Sequence, residues 1–170
     1  AGKGGVIRRV TAALEAGAGA RTVLVRAGDA WAESAGGTSG ALWGSALTAI
    51  GGALSDTESA RSQEVVDAVV AGIEAIQRLG GAKVGDKTMV DALVPFAEAL
   101  EVAFAASGNL RRAWATAAER ATDAAASTAE IVARRGRSRV LGEKSLGTPD
   151  PGATSFAMLM TAIAESDLLD

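Results

Sequence analysis

The sequence predicts an all-α fold, an antiparallel bundle of about seven helices. Three observations predict it. Apolar residues recur every three or four positions along most of the chain, and no segment alternates apolar and polar residues as a strand would. Hydrophobic residues make up 48% of the 170 but aromatics only 4%, so the apolar content is mostly Ala, Val and Leu, with 21 glycines. Small, strong helix formers of that kind suit helices packed at short range. The segments between the periodic stretches are mostly short, which makes successive helices antiparallel neighbours.

Taken in order, helices are expected near Val6–Ala16, Arg21–Glu33 and Ser39–Leu54. The next carries Val65, Val69, Ile73 and Ile76 on one face, with Gln63, Glu64, Asp67, Glu74 and Gln77 mostly opposite. Gly80-Gly81 after Leu79 reads as its C-terminal stop. Met89, Leu93, Phe96, Leu100 and Phe104 repeat the same geometry; Pro95 falls inside, so a kink or a missing hydrogen bond is expected near Asp91. Asn109 is placed to cap a long helix reaching about Ala133, with Leu110, Trp114, Ala117, Ala121 and Ala125 inward. A last helix covers Asp150–Ala164. The one long irregular segment, Arg134–Pro149, holds Arg134, Arg135, Arg137, Arg139 and Lys144 against a single acid, Glu143. A basic loop of that length in a mildly acidic chain is a candidate for function.

At this length the chain fits one domain, residues 1–170, with a single core. The net charge of −3 gives no general attraction to nucleic acid or anionic membrane, and the arginines lack interleaved aromatics, so no nucleic-acid partner is expected. Cys, His and Tyr are all absent. Their absence removes disulfides, thiol nucleophiles, Cys/His zinc sites and every Ser–His arrangement. The first ten residues do not read as a secretory signal, and a cytoplasmic location is expected. Ser34–Ser55 is free of charge, with Gly36, Gly40 and Gly44 at GxxxG spacing. Only Leu42, Trp43, Leu47, Ile50 and Leu54 are bulky there, so the stretch reads as a buried helix whose glycines admit a close neighbour rather than a membrane span.

Three places lead a tight turn of small residues into a helix. Gly36-Gly37-Thr38-Ser39-Gly40 offers glycines for close backbone approach, unsatisfied first-turn amides and two hydroxyls, a natural seat for phosphate oxygens. The same residues also fit an ordinary Ser/Thr N-cap. Gly85-Asp86-Lys87-Thr88-Met89 offers Asp86 as an N-cap, Lys87 as a cation within reach of an anion, and Met89 as a soft side chain for a purine face. Asp150-Pro151-Gly152-Ala153-Thr154-Ser155 starts a helix with Asp as N-cap and Pro at the first position. An arginine such as Arg137 suits a phosphate through its two-pronged donor geometry. No Walker A sequence and no close-spaced acidic metal loop is present.

These segments together resemble the nucleotide-binding domain or subunit (L type) of the dihydroxyacetone kinases. The resemblance rests on Ala35-Gly36-Gly37-Thr38-Ser39-Gly40-Ala41-Leu42-Trp43-Gly44, on the run from Gly80 to Leu93, and on Gly136-Arg137-Ser138, Leu141–Gly147 and Asp150–Ser155, in that order. It implies a closed antiparallel barrel of seven or eight helices with ATP or ADP at one end, and a kinase activity that passes phosphate to a hydroxyl of a small ketose or triose such as dihydroxyacetone. By the same resemblance Gly37, Thr38 and Ser39 contact phosphates with Leu42 nearby, and Gly80 and Met89 line the adenine pocket. Arg137, the implied catalytic residue, and the Asp150-Pro151-Gly152 turn close over the nucleotide.

The family holds Mg²⁺ on an Asp-rich loop, and nothing in AGKGGVIRRVTAAL matches it. The chain as given is therefore expected to lack metal ligands, as a fragment, through an omitted stretch, or as a degenerate relative, and to be inactive alone. The implied partners are the nucleotide and a substrate-binding kinase domain or subunit, fused or separate, with a homodimer as a further option. Two alternatives stay open: a subunit that retains ADP and is rephosphorylated by a phosphotransferase protein, and a non-catalytic helical domain that binds a partner.

Overall fold

A computed structural model describes residues 2–169, and at positions 2, 3, 137 and 138 the backbone alone. All regular structure among the described residues is helical: α1 (Gly2–Glu15), α2 (Ala20–Ala35), α3 (Gly37–Gly52), α4 (Ser62–Gly80), α5 (Val90–Ser107), α6 (Leu110–Ser127) and α7 (Pro151–Ala164). Short 3-10 turns lie at Thr128–Glu130 and Asp167–Leu169, and Arg137–Ser145 holds two more that are separated by a kink at Gly142 (φ 52°, ψ −129°). No described helix is long and apolar enough to cross a membrane. The helices gather into two compact units, Ala1–Gly81 and Ala82–Asp170.

In the first unit α2 packs against α1 and α3, and α3 against α4. Glycine makes the α2–α3 contact close. A Cβ on Gly44 would lie 2.8 Å from the Gly28 carbonyl oxygen and 2.8 Å from the Ala32 Cβ, and one on Gly51 would lie 2.9 Å from the Arg21 carbonyl oxygen. The charge-free stretch is thus a packing helix, and Gly51 joins Gly40 and Gly44 in the contact. Asp56, in the α3–α4 connection, serves the start of α2: its carboxylate accepts from the Thr22 amide at 2.9 Å and the Thr22 hydroxyl at 2.7 Å. On α4 the face is rotated from the one expected. Val66, Ile73 and Ile76 are buried while Val65 and Val69 are half-buried. Gly72 sits beneath Ile50 of α3, and that approach sets which side turns inward. α4 ends as expected, with Gly81 left-handed at φ 61° and its amide on the Gln77 carbonyl.

In the second unit α6 packs against α5 and α7. Leu93, Phe96 and Leu100 are buried at its centre. The Phe96 ring meets Trp114 of α6 and Phe156 of α7 edge-on, with centroids 5.2 and 5.4 Å apart, and the Trp114 indole donates to the Met160 carbonyl at 3.1 Å. The alanine stripe Ala117, Ala121 and Ala125 is inward, as its spacing requires. α5 runs unbroken through Pro95. Asn109 caps α6 by accepting from the Arg112 amide at 2.8 Å.

α6 stops at Ser127 rather than continuing to Ala133. The reason is Thr128, fully buried, whose hydroxyl donates to the Ala125 carbonyl at 2.6 Å and accepts from the Asp150 amide at 2.7 Å. Those bonds tie the end of α6 to the start of α7 and divert the chain.

Candidate functional site

The residues singled out by sequence form two clusters, one in each unit. The first is the start of α3. α2 ends at Ala35 and α3 begins at Gly37, so one residue makes the whole corner. Gly36 and Gly37 both take positive φ, 59° and 62°, which a side chain would resist. α3 has no side-chain cap; its N-cap is Gly36. Thr38 and Ser39 therefore stand in the first helical turn, exposed, and are not the N-cap that the turn alone would also have fitted. The first intrahelical bond reaches Gly36 from the Gly40 amide at 3.3 Å. The amides of Gly37, Thr38 and Ser39 precede it and have no acceptor within the helix. Three outward donors with the positive end of the α3 dipole behind them suit an anion's oxygens.

Leu42 and Gly80 belong to the same cluster. Leu42 is buried, and a Cβ placed on Gly80 would lie 3.2 Å from a Leu42 methyl. The end of α4 thus closes on α3 one turn past the glycine corner, and the absence of a side chain at position 80 sets how near it comes.

The second cluster joins the start of α5 to the start of α7. A Cβ on Gly152 would be 3.2 Å from the Met89 Cβ and 3.0 Å from an Asp150 carboxylate oxygen, so Met89 and the Asp150-Pro151-Gly152 turn lie side by side. Asp150 caps α7 through its carboxylate, which accepts from the Ala153 amide at 2.8 Å. Burial pushes its carboxyl above the ordinary carboxylate value; the amides of Ala153 and Gly152 pull it back, Asp91 raises it further and Lys87 lowers it. The side chain of Arg137 lies outside the described residues; its backbone opens the 3-10 segment after Gly136, whose φ is 69°.

Two expectations for the turn before α5 need correction. Asp86 is not an N-cap, since α5 begins at Val90; its carboxylate instead accepts from the Lys83 amide at 2.9 Å and pairs with Arg135 at 3.1 Å. Lys87 does not reach into solvent for an anion. It is 3% exposed and its ammonium donates to the Ser145 carbonyl.

The carboxylate that organises this turn is Asp91, which sequence reasoning passed over. It is buried and accepts from the Gly85 amide at 2.6 Å and the Thr88 amide at 2.8 Å. The available signal was an acid beside Val90, Ala92 and Leu93 in an apolar helix start, because a buried acid must find donors. Among the described residues no three acidic side chains gather as a cation site.

Over 164 residues, 96% of its length, the chain is 60% identical to the L-erythrulose 1-kinase of Mycolicibacterium smegmatis, and it spans 28% of that protein's length. It is 35% identical to the ADP-binding subunit DhaL of the PEP-dependent dihydroxyacetone kinase of Escherichia coli, matching 85% of this chain and 70% of that one. The dihydroxyacetone kinase of C. freundii, solved in complex with AMP-PNP and Mg²⁺, superposes with a TM-score of 0.58 at 34% identity, covering 87% of this chain and 23% of that one. The sequence profile described as the DAK2 domain matches residues 4–165, and the chain belongs to the DAK2 domain family.

Proposed function

We propose that residues 1–170 form the nucleotide-binding domain of an ATP-dependent kinase whose acceptor is a hydroxyl of a small hydroxyketose. The observation that carries the reading is the exposed glycine corner at α3, with three first-turn amides and two hydroxyls free to meet phosphate oxygens on a chain of the DAK2 family. In this reading the amides of Gly37, Thr38 and Ser39 hold the phosphates, and Leu42 and Gly80 form an apolar wall. Met89 lies against the adenine beside the Asp150-Pro151-Gly152 turn. Arg137 is the catalytic residue that balances charge developing on the transferred phosphoryl group. Phosphoryl transfer asks a protein mostly to position and to neutralise, which backbone amides and one guanidinium can do on the donor side, while the proton of the acceptor hydroxyl is taken up where the ketose is bound.

The acceptor is dihydroxyacetone or a four-carbon analogue; the name carried by the 60%-identical relative favours L-erythrulose. A substrate-binding domain or subunit supplies the ketose site, and Mg²⁺ arrives on ligands that the acids described here do not provide, so the chain alone is inactive. The same reading places it in the cytoplasm, where ATP is. The similarity to a DhaL subunit named as ADP-binding favours, as a second reading, a domain that keeps ADP and has it rephosphorylated in place.

Calorimetric titration with ADP and AMP-PNP, in the presence of Mg²⁺, tests the proposal. Saturable binding weakened at least about tenfold by Ser39→Ala combined with Arg137→Ala is the expected result, since each charge-assisted bond to phosphate contributes about 1.5–3 kcal/mol. Absence of binding, or binding indifferent to both substitutions, rejects it in favour of a partner-binding domain. Fast exchange of bound ADP for free ATP separates the ATP-dependent enzyme from the ADP-retaining one.

A further inference from the structure

Two costs fall on one residue of the second unit. Lys87 is the one non-glycine residue with positive φ (59°) among the described residues, and it is 3% exposed. Lysine has no preference for left-handed backbone, and it is among the residues least often buried. A glycine at position 87 would make the turn without either cost. Strain and burial that coincide persist where the surroundings enforce them, and they point to a task for the side chain.

The surroundings show the task. The ammonium donates to the carbonyl of Ser145, 58 residues away. The Ser145 hydroxyl accepts from the Ala133 amide at 2.9 Å and donates to the Gly142 carbonyl at 2.7 Å. These bonds draw residues 133 and 145 together and make the basic segment between them a loop with a cinched base. Two further bonds fasten that base to the turn bearing Lys87: the Arg134 amide donates to the Asp86 carbonyl at 3.1 Å, and the Arg135 guanidinium pairs with the Asp86 carboxylate at 3.1 Å. Away from the base the loop is solvated, with Val140 85% exposed and Leu141 50%. Its placement therefore depends on its base, where the buried Lys87 and Ser145 meet.

We propose that Lys87 is a positioning residue: by holding the Ser145 carbonyl it anchors the arginine-bearing segment 134–144 against the 83–89 turn, beside Met89. The part of this inference that concerns nucleotide rests on the function proposed above; the anchoring itself does not. Lys87 touches neither phosphate nor acceptor. It acts through the backbone it restrains, so a wandering loop would present its guanidinium groups in the wrong place even with every arginine intact.

The segment contains its own reporter, because trypsin cleaves after Arg134, Arg135, Arg137, Arg139 and Lys144. Two variants of the full chain are compared with the wild type, Lys87→Met, which keeps length and loses the ammonium, and Lys87→Gly, which also relieves the backbone. Both should raise the rate of nicking within 134–144 by about tenfold or more, since proteolysis of a locally opened segment follows the population of the open form. Cleavage after Arg26, Arg78 and Arg120 should stay at the wild-type rate in Lys87→Gly. ADP affinity, measured on uncleaved protein, should fall in both variants by about the same factor.

Unchanged nicking in both variants, or nicking accelerated equally at every site, overturns the proposal and leaves Lys87 a core residue. Wild-type nicking in Lys87→Gly alone also overturns it, because only the turn would then matter. If the wild type binds ADP and neither variant weakens it, the link to the nucleotide is refuted. If the wild type binds no ADP, the kinase reading fails while the proteolysis still decides whether Lys87 anchors the loop.

Discussion

Substitution of Gly44 by Ala tests how α3 is held. An ideal Cβ there would stand 2.8 Å from the Gly28 carbonyl oxygen and 2.8 Å from the Ala32 Cβ. Unstrained heavy-atom contacts begin near about 3.5 Å, so α2 and α3 would have to part by roughly 0.7 Å. Both obstacles belong to a helix, one of them to its backbone, and no rotamer change can clear them. With two such obstacles and neither able to move aside, the cost falls in the upper part of the usual overpacking range, about 2–3 kcal/mol. Alanine's better helix propensity returns about 1 kcal/mol. The net expectation is a loss of about 1–2 kcal/mol, a urea midpoint lower by about 0.5–1 M at an unchanged slope. Gly52→Ala is the internal control: it lies in the same helix, with no atom within 4 Å of where its Cβ would stand and no positive φ. It should be neutral or stabilising by up to about 1 kcal/mol. A Gly44→Ala protein as stable as the wild type would refute the claim that glycine sets the α2–α3 distance. Because α3 also carries the glycine corner, the same variant should weaken the phosphate binding proposed for Thr38 and Ser39.

Three further outcomes follow from the hydrogen bonding. The Thr22 amide and hydroxyl hold the Asp56 carboxyl below its ordinary value. The folded state thus binds that proton less readily, and the contribution is present above the ordinary carboxylate range and lost as pH falls through the depressed value. The melting-temperature gap between wild type and Asp56→Asn should accordingly close on acidification. Asp150 has the opposite sign: burial raises its carboxyl, so the wild type gains stability from this group as pH falls from the raised value toward the ordinary one. Asp150→Asn, which can still cap α7, should remove that gain without loss at neutral pH, whereas Asp150→Ala should cost about 1 kcal/mol by thermal melts. Asp91→Ala, which strands the Gly85 and Thr88 amides, should cost about 2–3 kcal/mol in chemical denaturation and speed hydrogen exchange at those two amides.

Much of this protein is decided locally and was legible in the chain. Periodicity located the helices because an apolar face must be buried wherever a helix forms. Asn109 and Asp150 were readable as caps, and Gly81 as a stop, because each acts on amides or carbonyls within four residues. The order of the glycine, Gly80–Leu93 and Asp-Pro-Gly segments was enough to identify the family. Tertiary structure decided what local pattern leaves degenerate. The inward side of α4 depends on where Ile50 of α3 meets Gly72, a contact across two helices that the spacing of Val65 and Val69 does not encode. The end of α6 depends on a buried Thr128 hydroxyl finding the Asp150 amide, 22 residues on. Lys87 looked like a surface cation because its neighbours in sequence are Gly, Asp and Thr, whereas its partner is a carbonyl 58 residues away. A side chain's partner is set by geometry that only the folded chain supplies, and for a charged group that partner separates a ligand contact from a structural anchor.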